Sequence, residues 1–559
     1  MESMPTPAFE GEPEVPSTEE DPALGLSRRA KFEILGAIML GLFLGALDQT
    51  IVGPVLPRIV TELKGADFYT WVVTAYLLTS TVTVPIYGKL SDLYGRKRLL
   101  MGGIVLFLVG SALSGLSQEM WQLILFRGIQ GLGAGALFPI SLAVIGDLFT
   151  PAERGKYQGL FGAVFGVSFL LGPFIGGWLT DNISWHWIFY VNLPIGLIAL
   201  VVIERLLPNV KGHFAQVRVD WAGVVTLILG LVPILIGFTV AETDGFGDVT
   251  TWAWLVVGLV FVGVFVLVER RAVEPIVPLR LFRNRTFSAS LVSTFFVNFG
   301  FGAAIIFLPL YFQVVEGNSA TESGYRLLPF LVGLIGASIL SGQLVARTGR
   351  YKALLLAGMV SVAVGLVLMT QLRVDTSDTT LALWMFIAGL GIGPTLAVFT
   401  IVVQNSVAFH ELGTATSDLT LFRQIGSTVG ISLAFTLFRI NLTWDLLRQQ
   451  FVAAGVPGTL LPTAAPAAFD PGQLTSVGGG GNALAFLQQV PAQLQPLFQN
   501  GFHGAFTIAI GNSIWLGVAT AVVAGLAALA LHELPLRRTV SPGAQRMAQH
   551  VAATREAAD

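Results

Sequence analysis

Long apolar stretches alternate with short polar ones along almost the whole chain. Fourteen of the apolar stretches are close to the length of about 20 residues that an α-helix needs to cross a bilayer. They cover roughly residues 32–55, 70–87, 99–116, 121–145, 157–179, 187–202, 221–240, 252–268, 287–312, 325–345, 353–372, 381–403, 418–438 and 505–531. The pattern predicts an all-α polytopic membrane protein with 14 transmembrane helices and both termini on the same side.

Composition supports this class and excludes several others. Hydrophobic residues make up 53% of the chain and charged residues only 12%, which is far from the balance of a soluble domain. The net charge of −2 gives no basic excess for binding nucleic acid. The absence of cysteine excludes disulfides, thiolate metal sites and cysteine nucleophiles.

Basic residues are concentrated in the loops on one side of the predicted spans. The positive-inside rule therefore predicts that both termini are cytoplasmic. We expect a multi-pass protein of the plasma (inner) membrane. The long segment 439–502 lies on the opposite side, and its prolines and Gly478–Gly481 predict a loop. Its last part, residues 483–499, is interpreted either as an interfacial helix or as a flexible linker.

Two sequence patterns occur twice. The loop Gly88–Arg98 resembles Gly342–Lys352 at an offset of 342 − 88 = 254 residues, and residues 131–135 resemble 389–393 at an offset of 258. Repeated halves are typical of secondary transporters. Because the offsets exceed the length of six spans, spans 7 and 8 are predicted to be an insertion between two six-helix halves.

This repeat sets the predicted domain boundaries. They are a disordered cytoplasmic tail (1–30), an N-terminal six-helix half (31–206), two inserted helices with flanking loops (207–286), a C-terminal six-helix half including the extracytoplasmic loop (287–534), and a second cytoplasmic tail (535–559).

The first copy of the repeated loop combines glycines with an acid and several bases, a composition that predicts a gate. Gly88 and Gly95 allow a tight turn and close helix approach, while Arg96 and Lys97 can neutralise Asp92. We expect these five residues to hold the cytoplasmic end of the bundle closed. The alternative is an ordinary loop that carries positive charge.

Ionisable residues inside a span are costly and therefore indicate function. Asp48 lies well inside the first span, and Arg127 lies inside the fourth. The arginine cannot deprotonate and requires a carboxylate, a dipole or a cavity, so Asp48 is its natural partner. We expect the pair to couple transport to protons; the alternative is that Asp48 is a structural acid.

The fifth span carries closely spaced small residues and a Gly-Pro step. This pattern predicts a kinked helix with a packing seam that prevents leak, and the alternative is packing alone. The residues of this predicted antiporter seam are Gly159, Gly172, Pro173, Gly176 and Gly177.

Other polar residues in the spans either line a substrate path or bridge helices. They are Gln49, Asn298, Gln404, Asn405, Asp418 and Arg423. Asp418 and Arg423 are five residues apart, which places them about 140° apart around a helix, so they are not expected to pair. The histidines have no metal-ligand spacing, and no phosphate-binding loop is present to support ATP-driven transport.

Together these motifs resemble the major facilitator superfamily. Residues 88–97 resemble its signature loop between helices 2 and 3, and residues 127–131 resemble its helix 4 motif. Residues 172–177 resemble the helix 5 motif of its antiporters. Residues 47–57 and 185–196 resemble motifs of its fourteen-helix drug:proton antiporters.

The resemblance implies a proton-coupled antiporter, not an enzyme, that exports hydrophobic or amphiphilic compounds such as drugs. It implies no cofactor beyond the proton gradient. The expected partners are a small amphiphilic substrate, protons and membrane lipid, without nucleic acid, for a monomer. The alternatives are an exporter of an endogenous lipid or metabolite, and a non-transporting membrane receptor on the same fold.

Overall fold

The computed structural model describes residues 28–65, 68–207, 219–465, 491 and 493–536. Regular structure within these residues is helical, and fourteen of their helical segments are long and apolar enough to cross a membrane, as the apolar pattern predicts. Most of the two predicted tails and of the segment 483–499 lies outside the described residues.

The N-terminal half contains six membrane spans, two of which are interrupted. Its helices are α1 (Arg28–Ile51), α2 (Leu56–Glu62), α3 (Tyr69–Tyr94), α4 (Arg96–Gly115), α5 (Met120–Leu148), α6 (Pro151–Asn182), α7 (Trp187–Tyr190) and α8 (Asn192–Leu206). A 3-10 turn at Gly53–Val55 joins α1 to α2, because Pro54 has no backbone N–H to continue an α-helix. The first span therefore runs on to Glu62.

Two helices follow and form the inserted pair, and the second half comes after them. The inserted helices are α9 (Trp221–Thr243) and α10 (Val249–Glu269). The helices of the C-terminal half are α11 (Arg285–Ile305), α12 (Phe307–Val314), α13 (Ala320–Arg326), α14 (Leu328–Thr348), α15 (Lys352–Met369), α16 (Asp378–Ser406), α17 (Leu412–Asn441), α18 (Trp444–Ala453) and α19 (Gln495–Leu529).

The inserted pair contacts both halves rather than standing apart. Leu227 and Leu231 of α9 share an apolar cluster with Val84 of α3 and Leu421 of α17. Ser432 of α17 also donates a 2.7 Å hydrogen bond to the carbonyl of Phe238 in α9. The insertion thus covers the line along which α3 meets α17.

The predicted loop 439–502 contains more helix than its prolines indicate. Helix α18 is capped by Thr443, whose hydroxyl accepts from the N–H of Leu446, and it buries Trp444 and Phe451. The ring of Phe451 lies 4.8 Å from that of Phe498 in α19, which begins ten residues earlier than predicted. The sequence prediction missed α18 because one short amphipathic face is a weak signal beside several prolines.

Each copy of the repeated loop contacts a helix of the opposite half. Gly88 of α3 packs on Gly413 of α17, and its counterpart Gly342 of α14 packs on Gly155 of α6. A Cβ atom on Gly155 would lie only 2.2 Å from the carbonyl oxygen of Gly342, so these helices approach closely only because both positions are glycine. Both contacts lie at the end of the bundle that carries Lys89, Arg96 and Arg350, here called the basic end.

Candidate functional site

The structure brings Asp48 and Arg127 together inside the N-terminal half. Nη1 of Arg127 lies 2.7 Å from Oδ2 of Asp48, and their side chains are 2% and 0% exposed. Asp48 stands in the last turn but one of α1, and Arg127 stands in the second turn of α5. Two facing helices therefore hold a buried ion pair at the depth of the membrane.

Further donors complete the shell of this carboxylate. The amide of Gln130 donates to Oδ1 of Asp48 at 2.8 Å, and the amide of Asn192 donates to the same oxygen at 3.1 Å. The guanidinium of Arg127 lies over the ring of Tyr76, 4.1 Å from its centroid. We call these five residues the Asp48 network; they come from α1, α3, α5 and α8.

Gln130 and Asn192 were not among the site residues predicted from the sequence. Gln130 had a usable signal, because it lies three residues after Arg127 and so shares its helix face. Asn192 lies in the segment 185–196 that resembles a motif of the subgroup, but nothing local shows which helix its side chain contacts. With three donors aimed at one carboxylate, a proton on Asp48 would leave at least one donor without its acceptor.

At the basic end, Asp92 of the first half binds the start of α17 in the second half. Its carboxylate accepts from the backbone N–H of Gly413 at 3.0 Å, and from the N–H and hydroxyl of Thr414 at 2.7 and 2.8 Å. An anion is favourable at a helix N-terminus because several backbone N–H groups there have no partner within the helix. Asp92 thus ties the two halves together.

Arg96 supports this contact from the first half. Its Nη1 lies 2.5 Å from Asp92, and its Nε lies 3.1 Å from Asp147 at the end of α5. Gly95 has a φ of 98°, the positive value that lets α3 end and α4 begin within one residue. Lys97, by contrast, pairs at 3.3 Å with Glu204 of its own half, so it takes no part in the contact between halves.

A second polar contact joins the halves deeper in the bundle. The amide of Gln158 on α6 donates to the side chain of Gln404 on α16 at 2.9 Å. Gln404 in turn donates to the carbonyl of Leu142 on α5 and to the hydroxyl of Thr416 on α17, both at 3.1 Å. Gln404 is therefore a bridge between halves rather than a free lining residue of a path.

The small residues of α6 face two different partners. Gly159 packs on the backbone of α14 at Ser338, across the boundary between halves. Gly172 and Gly176 instead pack on Thr50 and on Ile51 of α1, within the first half. Two further members complete the set: Pro173 lies inside α6, and the adjacent Gly177 is half-buried.

The remaining polar residues are scattered. Gln49 is exposed, although it lies within a span. Asn298 donates to the carbonyl of Thr294 in its own helix, and Asn405 donates to that of Pro535. Two more residues, Asp418 and Arg423, have buried polar atoms without a hydrogen-bond partner and form no ion pair with each other.

Comparison with known proteins identifies the family. A family model described as Major Facilitator Superfamily matches residues 38–431. The chain belongs to the major facilitator superfamily. Among its members, the Multidrug transporter protein MdtP of Bacillus subtilis (strain 168) is 42% identical over 405 residues, which is 72% of this chain and 74% of that protein. Multidrug resistance protein 3 of the same organism is 36% identical over 449 residues, or 80% and 86%.

Solved structures of the superfamily share the fold. The proton:xylose symporter XylE, bound to 6-bromo-6-deoxy-D-glucose, superimposes with a TM-score of 0.56 at 13% identity, covering 90% of this chain and 95% of that one. Two six-helix halves with an inserted pair of helices are thus the superfamily fold with an addition between its halves. Members of this superfamily are transporters, so the chain is a membrane transporter and not an enzyme.

Proposed function

We propose that this superfamily member exports hydrophobic or amphiphilic compounds, drugs among them, across the plasma membrane in exchange for protons. The names of its relatives, a multidrug transporter and a multidrug resistance protein, support the class of cargo. The observation that carries the coupling is the Asp48 network, because a carboxylate wholly buried inside a span is costly and indicates function.

The basic end is taken as the cytoplasmic end, in accordance with the positive-inside rule. The contact of Asp92 with α17 and the Gln158–Gln404 contact then close the transporter toward the cytoplasm. Opening to that side requires Asp92 to release the backbone of Gly413 and Thr414. The two halves would then rock against each other around a site near the middle of the membrane, which is the usual mode of transporters built from repeated halves.

Coupling follows from the hydrogen-bond count at Asp48. A proton that reaches Asp48 removes the negative charge that attracts Arg127 and leaves at least one of the three donors without its acceptor. The helices α1, α5 and α8 would then shift relative to one another. Gln49 is the next residue of α1 and is exposed within the span, so this shift reaches a side chain that can touch cargo.

The test is dye export by the purified chain in proteoliposomes under an imposed pH gradient. D48N should abolish uphill export while leaving downhill movement of a neutral dye, because asparagine cannot carry the proton. D445N is the matched control, since Asp445 is an exposed carboxylate in α18 outside the spans. Uphill export by D48N at the wild-type rate would make Asp48 a structural acid and overturn the coupling proposal.

A further inference from the structure

Arg423 is a half-buried cation for which the described residues provide no ion-pair partner. It lies on α17 inside the span Phe409–Asn441. Its Nε and Nη2 atoms are buried and have no hydrogen-bond partner, and no carboxylate among the described residues forms an ion pair with it. Arg326 of the same half differs, because it contacts Glu316 at 3.0 Å and Asp378 at 2.6 Å.

The contacts of α17 show which way Arg423 faces. Residues seven apart on an α-helix differ by only about 20° in direction. Thr416, seven residues earlier, contacts Gln404, the residue that bridges the two halves. Gly430, seven residues later, packs on the backbone of Phe299 in α11. Arg423 therefore points between α16 and α11 toward the interior of the bundle, about 10 Å along the helix from the Gln404 bridge.

This position combines a charge with an apolar wall. Arg423 is half-buried, so part of the side chain keeps accessible surface at membrane depth. The rings of Phe295 and Phe296 on α11 lie 5.1 Å apart, and the backbone of Phe295 packs on Gly426, three residues after Arg423. The helix packed beside Arg423 thus carries aromatic side chains, and none of the described carboxylates forms an ion pair with the arginine.

An arginine in this setting would be stabilised by an anion, and the described residues do not supply one. Its guanidinium cannot lose its proton, and an unpaired charge inside a membrane costs several kcal/mol. Its planar fork of N–H groups binds carboxylates and related oxyanions through two parallel hydrogen bonds. A molecule that enters between the halves can supply such a group, and its apolar body would lie on the phenylalanines.

We propose that Arg423 binds the acidic head group of the cargo, so that the preferred substrates are amphiphilic anions with a carboxylate or sulfonate on an apolar body. This inference rests on the proposed function, since it names the charge class of the exported amphiphile. It concerns binding alone and does not depend on protons or on Asp48.

The test compares two probes with the same apolar body, 1-pyrenebutanoic acid and 1-pyrenebutanol. Affinities are measured by fluorescence anisotropy on the full chain in lipid nanodiscs, after subtraction of binding to empty nanodiscs and without a pH gradient. The wild type should bind the acid at least about tenfold more tightly than the alcohol, a margin typical of one charge-assisted contact. Equal affinities in the wild type would overturn the inference without any variant.

Variants then assign the preference to a residue. R423Q should bring the ratio of the affinities for the acid and the alcohol close to one, while the affinity for the alcohol stays unchanged. If R423Q does not fold, R423M is used in its place. R326Q, which removes an arginine that already has carboxylate partners, should keep the wild-type ratio. A wild-type ratio in R423Q or R423M would overturn the proposal.

The coupling proposal and this one fail separately. D48N should lose uphill export yet keep the preference for the acid. A D48N protein that exports uphill but still prefers the acid refutes only the coupling role of Asp48. A wild-type protein that binds the acid and the alcohol equally well, yet exports dye normally under a pH gradient, refutes only the role of Arg423.

Discussion

The two halves of the transporter share a fold but treat buried charge in opposite ways. In the first half, Asp48 is 0% exposed and its carboxylate accepts from Arg127, Gln130 and Asn192. In the second half, Asp418 is also 0% exposed, yet neither of its oxygens has a hydrogen-bond partner. Equal burial therefore comes with hydrogen bonds to both carboxylate oxygens in Asp48 and to neither in Asp418.

The difference shows which buried carboxylate has its hydrogen bonds in this conformation and which one lacks them. A buried polar group without a partner costs free energy that a satisfied one does not. Asp418 follows Ser417, which packs on Gly88 at the contact between the halves. Asp418 thus lies beside the contact between Asp92 and α17, which the proposed transport cycle breaks, whereas the Asp48 network lies wholly inside one half.

The largest expected effect comes from removing the cation of the satisfied pair. R127A leaves Asp48 buried without its arginine, and breaking a buried pair in this way typically costs about 3–5 kcal/mol. Thermal unfolding of the purified protein measures the loss. D48N/R127A should recover part of it, because the uncompensated charge is gone, and a double variant as unstable as R127A would contradict this account.

The next largest effect is expected at the contact between Asp92 and α17 at the basic end. D92N removes one acceptor oxygen and the charge next to α17, leaving an N–H of Gly413 or Thr414 unsatisfied at a cost of about 1–3 kcal/mol to the closed state. The chain contains no cysteine, so Y94C and R350C provide two unique sites for spin labels.

Double electron–electron resonance between these labels reports the separation of the halves at the basic end. D92N should increase the population with the longer distance. K97Q is the control, because Lys97 pairs within its own half, and its distance distribution should match that of the parent. An unchanged distance distribution in D92N would show that Asp92 does not hold the two halves together at the basic end.

These residues also show how far the sequence could go. Asp48 and Arg127 were predictable partners because each is an ionisable residue inside an apolar span, and few such residues are available to pair. The repeat predicted the two halves and their insertion. The acceptor role of Asp92 toward Gly413 was not predictable, since 321 residues separate the two positions and the donors are backbone groups that any sequence has.

A smaller effect is expected at the unsatisfied carboxyl. D418N removes a buried negative charge that no donor compensates, so we expect the free energy of unfolding to stay unchanged or to rise by about 1 kcal/mol. D48N measured in parallel should lose stability, because it disturbs three existing contacts. A D418N protein destabilised as strongly as D48N would mean that Asp418 has a partner in the populated state.

The smallest effect is expected where the second half does pair its charge. R326A removes contacts to Glu316 and Asp378, but the arginine is 33% exposed and Asp378 is 73% exposed, so water screens the pair. Exposed pairs of this kind are worth about 0–1 kcal/mol, and they weaken as salt screens the charges. Unfolding of R326A and wild type at low and at high salt should therefore differ slightly at low salt and converge at high salt. A loss well above 1 kcal/mol that persists at high salt would show that Arg326 acts through packing, and it would disqualify R326Q as the matched control for Arg423.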